Sequence, residues 1–231
     1  MTTADRPPDA AGTSAADVPD SRLGRLHVLV DSLLVAEAAL EAGAPTLQVR
    51  LKSGADADRY RLASAIAERC RAAGATCLVN DRADLAVAVG ADGVHVGAED
   101  LPVSAVRRIV GPAAHVGGTA RDPVTARRLV DEGASYLGVG PTFATTTKAG
   151  LPDPIGTAGV RAVAAAVDVP VIAIAGITAA TVEEVLATGA WGVAVIGAVA
   201  EAIDPHVATH DLLVAVAKAV DASGGADGAR L

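Results

Sequence analysis

The sequence predicts an α/β protein, a (β/α)8 TIM barrel in a single domain. Three observations carry that expectation. Eight short runs of β-branched and aliphatic residues alternate with amphipathic stretches rich in Ala, Arg and Glu. Five of the runs are entered through a small tripeptide: AGA (42–44), AGA (73–75), VGA (89–91), EGA (132–134) and TGA (188–190). Each reads as a helix closed by a glycine at positive φ before the next strand begins. Of the 231 residues 51% are hydrophobic but only 2% aromatic, so the core must be packed from Val, Ala, Leu and Ile. A doubly wound open sheet is the competitor. Eight even repeats, and no Gly-rich fingerprint after the first run, count against it.

Residues 1–22 combine Pro, Ala, Asp, Ser and Thr without an apolar period and read as a disordered tail. Residues 221–231 read as a flexible C-terminal tail, which leaves 23–220 for the barrel. LHVLV (26–30) is the first strand. TLQVRL (46–51), the second, turns charged towards its end, and ADRYRLASAIAERCRAAG (57–74) is the helix after it. TCLVN (76–80) and GVHVG (93–97) follow, each running into a polar loop. AHVGGT (114–119) is the fifth strand and DPVTARRLVDEGA (122–134) its helix. YLGVG (136–140) opens into GPTFATTTKAGLPDPIG (140–156), where glycines and prolines bracket a segment able to move as a lid. VIAIA (171–175) and GVAVIG (192–197) complete the set.

A net charge of −8 with no clustered basic patch argues against nucleic acid or an anionic membrane as partner. It does not forbid an anionic small molecule, because a site can be locally basic. No apolar run reaches the roughly 18 residues of a membrane span. The N-terminus has no basic-then-apolar leader, so a cytoplasmic protein is expected. Cys70 and Cys77 read as buried reduced thiols. There is no Ser-His-Asp arrangement, no HExxH helix and no Cys/His ligand spacing.

A barrel confines function to the C-terminal ends of its strands. Strand alternation puts Gln48, Arg50 and Lys52 on one face, and two cations and an amide at a barrel mouth suit an anion. Asn80 and Asp81 end the third strand, and Asp100 follows the fourth. Two carboxylates from adjacent strand ends suit Mg²⁺ with retained waters. His95 faces inward, as a ring contact or as a satisfied core histidine; His115 reads as structural. Thr119 offers a hydroxyl after Gly117 and Gly118. Lys148 and the threonines of the long loop could close over a phosphate. Gly176, Ile196 and Gly197 put backbone amides where barrels build a phosphate cradle. The sum is one demand for a diphosphate and one for a monophosphate, with no general base between them.

The segments QVRLK, VNDRADLA, GADGVHVGAEDLP, GVGPTFATTTK and VIAIAGI, in this order between about residues 25 and 215, resemble the thiamine-phosphate synthase family. The resemblance implies a (β/α)8 transferase that couples hydroxymethylpyrimidine diphosphate to a thiazole phosphate with Mg²⁺, releasing pyrophosphate. It implies that Gln48 bonds the aminopyrimidine and that Arg50, Lys52, Asn80 and Lys148 form the catalytic clamp on the diphosphate. Thr119, at a position where serine is common, would join them in binding the substrate. Asp81 and Asp100 would bind the metal. Thr145, Thr147, Gly176, Ile196 and Gly197 would hold the thiazole phosphate. The implied mechanism is dissociative. Pyrophosphate leaves first, and the thiazole nitrogen captures the pyrimidine-methyl cation.

The chain departs from the pattern at Leu51, commonly acidic, at Ala98, commonly Gln, and at Gly197, commonly Ser. The charged ligands are intact. Two alternatives are a thiazole tautomerase-like relative and a non-catalytic barrel that binds phosphorylated ligands. A barrel of aromatic biosynthesis would need an acid/base pair that is not evident. A homo-oligomer is left open.

Overall fold

The computed structural model describes residues 23–145, 150 and 152–223. Residues 1–22 and 224–231 and loop positions 146–149 and 151 lie outside them. The elements run β1 Leu26–Val30, α1 Leu33–Glu41, β2 Thr46–Val49, α2 Asp56–Ala73, β3 Thr76–Asn80, α3 Ala83–Val89, β4 Gly93–Val96 and α4 Val103–Val110. They continue with β5 His115–Ala120, α5 Pro123–Asp131, β6 Tyr136–Val139, α6 Gly156–Ala164, β7 Val171–Ile174 and α7 Val182–Leu186. Last come β8 Gly192–Val195, the short α8 Gly197–Ala200 and α9 Pro205–Ser223. α9 runs three residues past the expected boundary at 220.

The strands form a closed parallel barrel in sequence order, and β8 closes on β1 through Leu26↔Val193, His27↔Ala194 and Val28↔Val195. The expected (β/α)8 barrel is what the chain adopts. Helix ends were legible for a physical reason. Gly43, Gly74, Gly90, Gly133 and Gly189 all take positive φ, between 64° and 100°, which costs glycine little. Some helices, α1 and α5 among them, start on a side-chain oxygen. Asp122 Oδ1 accepts from the Val124 and Thr125 N–H groups, both at 2.9 Å, at the head of α5.

Alternation along each strand splits the core into two layers. Outward residues such as Leu26, Val28, Leu47, Val79, Val94, Val116, Leu137 and Val193 pack with helix residues Ala36, Ile66, Val106, Val160 and Val185. Small β-branched and Ala side chains here let the helices lie close to the strands. Cys70 and Cys77 belong to this layer, buried and free. The neighbouring Cys70 sulfur, together with burial, pushes the Cys77 thiol far above its ordinary range, so it stays protonated.

The inner layer is smaller: Leu29, Leu78, Tyr136, Ile172 and Ala194, with Leu23 and the partly buried Trp191 at the bottom. Polar side chains share it, among them His27, Thr46, Gln48, Thr76 and His115. Arg25 closes the base, its guanidinium carbon 3.9 Å from the Trp191 ring centroid.

His27 makes the fold sensitive to acid. It is 1% exposed, its ring nitrogen lies 3.1 Å from Gly24 O, and Tyr136 stands edge-on at 5.8 Å. Desolvation first, then the fields of His95 and His115, lower its pKa to about 3 despite the bond to Gly24. A folded pKa below the unfolded value of about 6.5 means that the unfolded chain takes the proton first. Stability is therefore full above about pH 6.5 and falls as pH drops towards 3. Between pH 7.5 and 5.5 the loss is about 1.4 kcal/mol for each histidine that stays neutral. Urea unfolding at those two pH values is expected to show it, and His27→Gln to flatten the difference. An identical pH difference in His27→Gln would contradict the assignment.

Candidate active site

The C-terminal end of the barrel gathers the charged residues. Gln48 is the last inward residue of β2, 5% exposed, and Arg50 follows at the exit, where its N–H donates to Val30 O at 2.8 Å. Arg50, Lys52 and Ser53 border a groove of about 320 Å³ with Asp31, Asp58, Arg59 and Leu62. Lys52 Nζ reaches across to Asp81 Oδ2 at 2.7 Å, which joins the exits of β2 and β3.

Asp81 has an unusual backbone. Its φ is +66°, and the Arg82 N–H donates to Asn80 O at 2.8 Å, closing a three-residue turn around it. The Asp81 N–H donates to His95 O at 2.7 Å, anchoring this turn on β4. Such a conformation costs a non-glycine residue about 1 kcal/mol or more and persists where the surroundings enforce it. Here it aims a carboxylate at the rim.

Asp100 arrives from the loop after β4, its Oδ2 accepting the Gly97 N–H at 2.8 Å. The Asp81 and Asp100 carboxyls hydrogen-bond each other. Burial pushes Asp81 up, but Lys52 and the bond with Asp100 bring it below the ordinary carboxylate value. Burial and the facing Asp81 carboxylate push Asp100 above the ordinary carboxylate value. Two facing carboxylates repel each other, and a divalent cation between them offsets that repulsion. Among the described residues no group of three His, Cys, Asp or Glu side chains converges on one point. A carboxylate pair completed by water and substrate phosphate is a binding mode of Mg²⁺, so the residues present fit that ion.

Around this pair runs an outer ring of ion pairs. Arg82 forks onto Asp84 at 2.8 and 2.6 Å and gives its third group to Asp56 at 3.0 Å. Asp56 also receives Arg59 at 3.1 Å, and Arg59 reaches Lys52 O at 3.4 Å. This ring ties the β2 and β3 exits through the start of α2.

Inside the mouth, His95 lies between two hydroxyls. Its Nδ1 is 3.2 Å from the Tyr136 hydroxyl and its Nε2 is 3.0 Å from Thr119 Oγ1. Thr119, expected as a free hydroxyl at the rim, is committed below it, also donating to Val96 O at 3.3 Å. Both rings fit only because Gly117 and Gly138 have no side chains. A Cβ on Gly117 would stand 2.2 Å from Tyr136 Cζ, and one on Gly138 would stand 2.7 Å from His95 Cε1. Desolvation lowers the His95 pKa to about 4, so its ring is neutral at pH 7. Burial raises Tyr136, with a hydrogen bond from Gln48 pulling the other way. Tyr136 is the site residue that sequence reasoning missed; its signal was a lone aromatic at an inward strand position.

The exits of β6 and β7 are pressed together. Thr142 N–H donates to Ile174 O at 2.8 Å and Phe143 N–H to Ala175 O at 3.0 Å. Ala175 and Gly176 take φ of +79° and +69°, and a Cβ on Gly176 would meet Ala144 O and Phe143 Cβ at 2.7 Å. Thr145 follows on this loop, half-buried. Ile196 caps α8 and Gly197 is its first residue, on the neighbouring β8 exit. The expected Thr147 and Lys148 lie outside the described residues.

The model of the family described as thiamine monophosphate synthase matches residues 26–199. A thiamine-phosphate synthase of Salinispora arenicola is 54% identical over 198 residues, covering 82% of this chain and 95% of that protein. One from Salinibacter ruber is 40% identical over 205 residues, covering 85% and 90%. A thiamine phosphate pyrophosphorylase structure from Pyrococcus furiosus superposes with a TM-score of 0.79 at 34% identity, covering 85% of this chain and 96% of that one. No helix among the described residues is long and apolar enough to cross a membrane.

Proposed function

The chain belongs to the thiamine monophosphate synthase family and is an enzyme of the transferase class, and we propose that it joins hydroxymethylpyrimidine diphosphate to hydroxyethylthiazole phosphate or its carboxylated form. The products are thiamine phosphate and pyrophosphate. The observation that carries this reading is the Lys52–Asp81–Asp100 cluster across three neighbouring strand exits. A thiazole tautomerase-like site or a simple phosphate-binding barrel has no use for a carboxyl pair with a lysine on it.

In this reading Asp81 and Asp100 hold Mg²⁺, which neutralises charge on the departing diphosphate. Arg50, Lys52, Asn80 and Lys148 clamp the same diphosphate, Gln48 takes the pyrimidine edge, and Thr119 steadies the floor through His95. Thr145 and Thr147, with the amides of Gly176, Ile196 and Gly197, take the thiazole phosphate. Departure of pyrophosphate comes first, because the described mouth offers no base. The neutral His95 ring has both nitrogens engaged, by the Tyr136 and Thr119 hydroxyls, and Tyr136 stays protonated. None is required: a thiazole ring nitrogen that captures the pyrimidine-methyl cation carries no proton to remove.

Purified protein with both substrates and Mg²⁺ is expected to release pyrophosphate and thiamine phosphate in equal amounts. Binding of thiazole phosphate with no pyrophosphate release would leave the non-catalytic barrel standing instead.

A further inference from the structure

Asp81 and Lys52 face each other across two strand exits, but they differ in freedom. Asp81 is fixed: its backbone holds a φ of +66° and its N–H is tied to His95 O at 2.7 Å. Lys52 is held only along the chain. Two residues before it the Arg50 N–H donates to Val30 O, and its own carbonyl accepts from Arg59 Nη2 at 3.4 Å. The Lys52 side chain is 50% exposed, and its ammonium lies on Asp81 Oδ2 at 2.7 Å. Arg82 and Arg59 are committed to Asp84 and Asp56, so the cation that meets Asp81 is Lys52. An ion pair this exposed is weak and readily exchanged.

The carboxylate that Lys52 covers is the one the functional reading gives to the metal. A divalent ion on Asp81 has to displace the ammonium. Even through the other carboxyl oxygen it would stand within a few ångströms of a second positive charge. Lys52, once displaced, would stand beside Arg50 on the groove that both border. That groove has two carboxylates, and Asp58 is already paired with Arg61 at 2.7 Å. A diphosphate alone fares no better. Drawing Lys52 to the anion would leave Asp81 without its cation, and leaving Lys52 on Asp81 withholds a cation from the anion. Bound together, the two ligands supply each other's missing charge. We propose, resting on the functional reading for the identity of both ligands, that Lys52 is a place-holder. It yields Asp81 to the divalent ion only as its ammonium passes to the diphosphate, so metal and diphosphate bind cooperatively and neither binds well alone. Such coupling is reciprocal: the factor that the diphosphate adds to the metal's affinity, the metal adds to the diphosphate's.

Two measurements test it. The first is binding of Mn²⁺ alone, followed by the electron paramagnetic resonance of the free ion. Lys52→Gln is expected to bind Mn²⁺ about 10-fold tighter than the wild type, and Lys52→Arg, which keeps the charge, to stay within about twofold of it. Arg50→Gln removes the same charge from a neighbour that does not lie on Asp81, and is expected to change Mn²⁺ affinity by no more than about twofold. Adding Asp81→Asn to Lys52→Gln should abolish the gain, which places it on this carboxylate. The second measurement adds inorganic pyrophosphate. Its own complex with Mn²⁺ in solution is common to both proteins, so the difference between them belongs to the site. Pyrophosphate is expected to raise Mn²⁺ affinity about 10-fold more in the wild type than in Lys52→Gln. Any of three results overturns the proposal: no tighter Mn²⁺ binding in Lys52→Gln, an equal gain in Arg50→Gln, or the same pyrophosphate effect in both proteins. A wild type that shows the coupling yet forms no thiamine phosphate fails the functional reading and keeps this one; turnover without the coupling does the reverse.

Discussion

Replacing Asp81 by Asn is expected to lower kcat/KM by about 100-fold or more, with pyrophosphate release and thiamine phosphate formation falling together. The variant keeps the shape, and Asn accepts a positive φ as well as Asp does, so the turn closed by Arg82 on Asn80 survives. What it removes is the charge that faces Lys52 at 2.7 Å and lies against the Asp100 carboxyl. A single carboxylate is a poor site for a hard divalent ion, so the half-saturating Mg²⁺ concentration should rise steeply as well. The thermal midpoint should barely move, because the lost ion pair is partly solvent-exposed and such pairs contribute about 1 kcal/mol or less. Thiamine phosphate formed at the wild-type rate by Asp81→Ala in excess EDTA would remove the magnesium-dependent mechanism altogether.

Gly117→Ala and Gly118→Ala should behave very differently although the residues are adjacent. Gly117 faces the barrel interior, where an added Cβ would stand 2.2 Å from Tyr136 Cζ and 2.4 Å from His95 Nδ1. Both rings are held by neighbours and cannot retreat without breaking the contacts from Tyr136 through His95 to Thr119. Overpacking of this kind costs about 1–3 kcal/mol, and orphaning the buried polar groups adds to it. We expect a loss near the top of that range together with a large rise in KM for the pyrimidine substrate. Gly118 faces the helix layer, where the nearest atoms are methyl groups of Leu129 and Val103 at 3.1 to 3.3 Å. Those ends can yield by a few tenths of an ångström, so the cost should stay below about 1 kcal/mol. Denaturant unfolding of the two variants checks the contrast, and equal losses would contradict the assignment of faces.

Much of this was legible in the chain itself. Periodicity located every strand of the barrel, and the glycines before β2, β3, β4, β6 and β8 marked the helix ends, because a left-handed backbone is cheap only for glycine. Most strand ends were read too far. Arg50 and Leu51 belong to the exit, since the chain leaves the sheet once Arg50 N–H has bonded Val30 O. The charged site residues could be read because a barrel puts chemistry at strand exits, and cations, carboxylates and glycines at those exits have few other uses.

The inner layer could not be read. Tyr136 and His95 lie 41 positions apart, and nothing in the local sequence of either says that they touch. Nor does it say that Gly117 and Gly138 make room for them. The same holds for Lys52 on Asp81, 29 positions apart, and for the facing of Asp81 and Asp100. The sequence by itself determined the barrel and its strand exits, because local periodicity and turn chemistry act over a few residues. Only the tertiary structure decided which hydroxyl faces which nitrogen and which carboxyls meet. Those depend on barrel closure and register, which bring distant strands within hydrogen-bonding reach.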